Sequence, residues 1–381
     1  MKKLFILSGL FFLLVLAFLA VYNFAFKHNT LNPIADPKKK AAIEEKKAQE
    51  ILEAPERSVA FEQIVGEAVF QPVPGERSIF YYSKRDNSIK EATLDGKEIT
   101  VRVPRIPGEA TRVVWSPTRV QALMLIKNGD SSLWHLADLR NQTVVPLRSD
   151  MSRLAWTSLG DRILYQFTDS LTGERTLNIA SIDGSNWKKL ADIGKEDHFI
   201  AAIPRSSLIA FWAKADANRE STLEVITING DNRRTVVAPR FGTDFLFSPD
   251  NQHILIQSTV NRGGNSLTLG ITNEDGEGYQ NLFAPTFASK AVWSKDNETI
   301  YYALPGAFSG ETVLPNDYYG KPVYSNDTFW KTNIRTGKKE RLVPLEAMTE
   351  SYDVTDMFLS PTETDLYFID RRSSRLYRMT L

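Results

Sequence analysis

The chain has no cysteine among its 381 residues. That rules out a disulfide framework, thiolate metal ligands, a cysteine nucleophile and lipid attachment through sulfur. It leaves the compartment open, because a large enough core needs no covalent staples. Excess charge of either sign is also missing: Lys and Arg together number 46, and so do Asp and Glu. Residues 1–56 take 8 basic and 6 acidic residues, leaving 38 against 40 for the rest. A near-neutral body lacks the basic stripe of a nucleic-acid binder, and no nucleic-acid partner is expected. Histidine is scarce, and His28, His135, His198 and His253 show no metal-ligand spacing. The acidic run NEDGEG at 273–278 does not fit a calcium loop, and there is no G-x-S-x-G elbow, P-loop or G-x-G-x-x-G after a strand. No metal, cofactor or catalytic residue is expected from motifs. A pair of carboxylates brought together from distant segments stays open.

What is present begins with an apolar run. Residues 4–26 read LFILSGLFFLLVLAFLAVYNFAF, 23 residues without a charge. At ~1.5 Å rise per residue they span roughly 35 Å, enough to cross a ~30 Å hydrocarbon core. A cleaved signal peptide would carry an apolar run of ~7–15 residues and a small-x-small site. This run is longer and no A-x-A follows it, so an uncleaved anchor is expected. Lys2 and Lys3 precede it and suit a cytoplasmic tail at 1–3, although Lys27 and Lys38–Lys40 beyond it even out the charge count. The rest would lie in a periplasm or on a cell surface. Residues 27–56 are rich in Ala, Glu and Lys between Pro37 and Pro55 and predict a helical stalk.

Residues 57–381 repeat. Apolar residues nine apart flank a turn at Phe70/Ile79, Trp115/Met124, Trp156/Tyr165, Ile203/Trp212, Phe247/Ile256, Trp293/Tyr302 and Leu359/Phe368. The first members lie 45, 41, 47, 44, 46 and 66 residues apart. The turns contain Ser-Pro-Asp-Asn and its variants, whose fixed proline φ and Asp/Asn side chains favour tight turns. Third strands such as TLNIASIDG and TLEVITING end in Asp-Gly or Asn-Gly and predict a hairpin into a fourth. Four strands at a period near 45 describe a propeller blade, so the expectation is all-β and seven-bladed.

The segments FSPDNQHILI (247–256) and WSKDNETIYY (293–302) resemble the repeat of TolB-like, WD-type β-propellers. FQPVPGERSI (70–79) and IPRSSLIAFW (203–212) lack its Ser-Pro-Asp. The resemblance covers roughly residues 57–381 and implies a propeller closed by pairing the two chain ends. It leaves function open, since such propellers serve as binding platforms, as peptidase gates and as carriers of catalytic loops.

The last repeat offers three strands, VTDMFLS, DLYFID and RLYRMTL, and RSVAFEQI (57–64) is the candidate for the fourth. With strands A to D running outward, A–B and C–D turns share one face, which the stalk enters. B–C and D–A loops share the other, expected to point away from the membrane. There the long interval places an insertion, LPGAFSGETVLPNDYYGKPVYSND (304–327). Its Phe308, Tyr318, Tyr319, Lys321 and Tyr324 are candidate binding residues, because rings on a proline-stiffened loop are fixed at low entropic cost. The alternative is a loop that packs over the channel or a neighbouring blade. Trp115, Trp156 and Trp293 read as blade-to-blade core, and Trp187 as a partly buried turn residue. The function expected is an envelope scaffold for a protein, peptide or glycan; the competing one is a polysaccharide hydrolase or lyase over the channel.

Overall fold

The computed structural model describes residues 61–348 and 350–381. The expected tail, anchor and stalk, with residues 57–60, lie outside them. Among the described residues no helix is long and apolar enough to cross a membrane.

Seven four-stranded antiparallel sheets make up the chain from Phe61 onward. Six are sequential: blade 1 (69–103), blade 2 (109–146), blade 3 (151–194), blade 4 (198–241), blade 5 (244–281) and blade 6 (291–341). First strands of neighbouring blades touch, so strand A of each blade rings the axis. Second strands are runs of β-branched and aromatic residues, such as Arg162–Thr168 (RILYQFT) and His253–Thr259 (HILIQST). They are buried nearly throughout because blades cover both faces, and such strands read as continuous apolar runs rather than alternating ones.

The A–B turn repeats in detail. Arg119, Gly160, Asn251, Asn297 and Glu363 each donate an N–H to the carbonyl three residues back, at 2.9–3.2 Å. All five have φ between 56° and 71°. Two of the expected pairs sit elsewhere in this frame. Strand A ends on Ala202, opposite Ile209, and not on Ile203. In blade 1 the ladder position of Trp115 falls to Val73, opposite Phe80, because a bulge separates Phe70 from Val73. Matching by apolar character could not detect either slip, since the neighbouring residues are equally apolar.

Tryptophans tie blades together as expected. Trp156 Nε1 donates to the Val114 carbonyl at 2.8 Å, Trp115 Nε1 to that of Gln71 at 2.8 Å, and Trp293 Nε1 to that of Leu246 at 3.4 Å. Each bond reaches the strand A of the preceding blade. Trp187 lies just before the fourth strand of blade 3, 56% exposed, with the Arg148 guanidinium over its ring at 5.8 Å.

Blade 7 closes the ring. Phe61–Gln63 pairs antiparallel with Arg375–Thr380, outside Asp365–Asp370 and Val354–Leu359. The Phe61 ring lies 5.3 Å from Phe329 of blade 6 and 5.0 Å from Tyr352, so the closure strand also packs across the blade 6–blade 7 boundary.

Candidate functional site

Three residues before the Trp115 ladder position stand Phe70, Arg112, Arg153, Phe199, Asp244, Lys290 and Asp356. Arg112, Phe199 and Asp244 are paired in register, Arg153 and Asp356 sit in bulges, Phe70 flanks one, and Lys290 ends the short helical turn ahead of its strand. Five of these seven are charged, around the axis of an otherwise apolar fold. On blades 2 and 3 the charge is positive. On blades 5 and 7 it is negative. Backbone irregularity accompanies the charge: Gln71, Arg153 and Asp356 are non-glycine residues with φ of 45°, 51° and 48° on their inner strands. Such a conformation costs on the order of 1 kcal/mol or more and concentrates at functional positions.

The basic side opens into a cleft of about 530 Å³. Arg112, Arg153, Arg175, Asp197, Gln166 and Ser132 line it, from the inner strands and the B–C/D–A loops of blades 2 and 3. Arg153 Nε donates to both Asp197 oxygens, at 2.9 and 2.8 Å, and Arg175 Nη1 approaches Asp197 at 3.2 Å. Gln166 holds Asp197 with its amide (3.1 Å) and accepts the His198 N–H (3.0 Å). Burial pushes the Asp197 carboxyl up, but Arg153 outweighs it, and the carboxyl stays below its usual range. The Arg112 and Arg153 guanidiniums sit 5.7 and 5.0 Å from the Phe199 ring centre.

On the acidic side, burial raises the carboxyls of Asp244 and Asp356 to about 6. Asp244 accepts the Trp212 indole N–H at 3.1 Å. Asp356 is exposed on the inner strand of blade 7, and the protein crowded around its carboxyl accounts for the upward shift.

The insertion is a strap on the same face. Its helix Asn316–Gly320 and flanking loops reach back over blades 5 and 4: Leu314 N–H bonds the Gly264 carbonyl (3.1 Å), and Asn316 bridges Ala217 N–H (2.8 Å) and Asp216 (3.0 Å). Of the expected binding residues, Tyr318 is buried, stacked on Phe287 at 4.2 Å, and Phe308 packs against the same cluster. Tyr319, Lys321 and Tyr324 are exposed; Tyr319 shares a 3.1 Å hydrogen bond with Ser289, and Lys321 pairs with Asp317 at 2.8 Å. Phe308, Tyr318 and Tyr319 thus gather round Phe287, Tyr324 meets Tyr318 through the Arg371 guanidinium, and Lys321 pairs outside that cluster. Beneath the strap Lys290 is fully buried, its ammonium 2.5 Å from Asp327, 2.7 Å from Asp353 and 3.0 Å from Ser325. Tyr318 Oη donates to Asp353 at 2.6 Å. Among the described residues no three His, Asp or Glu side chains gather closely enough to share a metal ion.

No family model matches the chain, and no curated protein matches it by sequence. Similarity to solved structures is clear. An oligogalacturonate lyase from Vibrio parahaemolyticus aligns at 9% identity over 86% of this chain and 94% of its own, with a TM-score of 0.61. An oligogalacturonate lyase in complex with manganese aligns at 12% identity over 85% and 90%, with a TM-score of 0.58. TolB from Acinetobacter baumannii is similar at 13% identity over 81% and 78%, with a TM-score of 0.43, too low to add to the argument. These likenesses show the β-propeller fold. The manganese of the second lyase has no counterpart donor cluster among the described residues here.

Proposed function

We propose that the protein is a membrane-anchored, extracytoplasmic platform that binds a partner on the B–C/D–A face of its propeller, over the Arg112–Arg153–Arg175 cleft. One observation carries this: Arg112 and Arg153 stand half-buried on neighbouring inner strands and, with Arg175, gather three guanidiniums in one cleft against the single carboxylate of Asp197. The uncharged run at 4–26 supports the anchor and the envelope location. An envelope protein, peptide or glycan is the partner class.

Deletion of 305–326 is a poor test, because it would strip Tyr318 and Ser325 from buried Asp353 and Lys290. Blocking the cleft is cleaner. Full-length protein carrying Ser132→Trp, at an exposed lining position, should lose partners captured from its own envelope. Lys338→Trp, on the opposite face, should keep them. Equal retention by both would contradict the reading.

A second reading, a hydrolase or lyase acting on polysaccharide over the channel, draws on Asp244 and Asp356. Carboxyls near 6 suit proton transfer at neutral pH. It requires turnover of an acidic or neutral polysaccharide that Asp356→Asn abolishes.

A further inference from the structure

The cleft on blades 2 and 3 has a chemistry of its own, and a ligand assigned to it rests on the platform reading. Its lining carries three guanidiniums against one carboxylate. Asp197 is taken up by Arg153 and Arg175. Arg112 is left with no hydrogen-bonded acceptor among the described residues, although protein surrounds it. Arg175 Nε is likewise buried without an acceptor. Arg112, half-buried and without a counter-ion among the described residues, offers its donors to the cleft, and a guanidinium fork matches a carboxylate with two parallel bonds.

The rest of the wall narrows the ligand. Ser132, Ser149 and Thr168 surround the guanidiniums. Of the apolar members, Trp134 and Met151 are each only 4% exposed and belong to the blade core, so half-buried Leu125 is the one apolar side chain the wall offers, less than the anchor pockets that dominate protein interfaces. We propose that this cleft is a subsite for a uronic-acid unit of an acidic glycan, its carboxylate on the Arg112 guanidinium, its hydroxyls among Ser132, Ser149 and Thr168.

The test is calorimetric titration of the full-length chain in detergent with glucuronate, glucose, inorganic phosphate and a glutamate-rich peptide. Glucuronate should bind, and glucose, which lacks the carboxylate, about tenfold or more weakly. Arg112→Gln should weaken glucuronate by a similar factor, and Arg112→Lys, which keeps charge but loses the fork, by less. Lys338→Gln should change nothing. If Arg112→Gln fails to fold by circular dichroism, Arg112→Lys carries the comparison, and unchanged affinity there overturns the proposal. So does equal binding of glucose and glucuronate, or no binding of glucuronate at millimolar concentration. Arg112-dependent binding of phosphate or the peptide without glucuronate overturns the sugar acid while the platform stands. Failure of every ligand, together with partner capture indifferent to Ser132→Trp, overturns both.

Discussion

Asp244 shows what a charge on an inner strand does to the molecule that carries it. Its carboxyl rises from an ordinary 3.8 to about 6 because burial disfavours the anion. Between those values the folded chain holds a proton that the unfolded chain has released. This contribution to stability is therefore full below about pH 4, declines as pH rises, and is gone above about pH 6, with a ceiling of about 3 kcal/mol. Asp244→Asn keeps an oxygen for the Trp212 indole N–H and removes the charge. Thermal unfolding should show Asp244→Asn more stable than the native chain at pH 8 by a few degrees and indistinguishable at pH 4. Tyr318→Phe tests a different bond. Loss of its 2.6 Å contact leaves buried Asp353 with one donor fewer and should cost about 1–3 kcal/mol in denaturant unfolding. Exposed Tyr324→Ala should cost far less.

The element that sequence most nearly located, and least explained, is the strap. Its boundaries were legible because the interval of 66 residues stands out from intervals near 45. Its role was not, because ring-bearing residues look alike whether they face a partner or a core. What turns Tyr318 inward is its hydroxyl's bond to Asp353, a carboxylate that Lys290 also holds from 63 residues away. Lys290 itself reads as an unremarkable surface residue in FASKAVW. The signal that could have found it is its spacing, three residues before the end of the first strand, which Arg112, Arg153, Asp244 and Asp356 share. Lys290→Met leaves Asp327 and Asp353 buried without their cation, and should destabilise the chain by about 3–5 kcal/mol in urea unfolding. A companion Asp353→Asn should restore part of that loss, since one of the two orphaned charges goes with it.

At the scale of the whole molecule the ring is held by its ends. Blade number, four-strand repeat and the closing pair were readable because each is written many times or lies at a chain end with a strand missing. The cleft was not, since its groups come from residues 112, 153, 175 and 197, each unexceptional in its own segment. Phe61 fastens the closure by touching Phe329, Tyr352 and Phe368. Phe61→Ala should therefore cost about 2–3 kcal/mol, read as an earlier denaturant midpoint, although only one ring in the chain has changed. A closed, rigid ring is what lets one face serve as a binding surface. Photo-crosslinking in cells tests that face directly, with a photoreactive residue at Ser132 on the cleft rim or at Lys338 on the opposite side. The account predicts specific adducts from Ser132 that Arg112→Gln diminishes, and none from Lys338. Adducts from Lys338 alone, or adducts at Ser132 indifferent to Arg112, would contradict it.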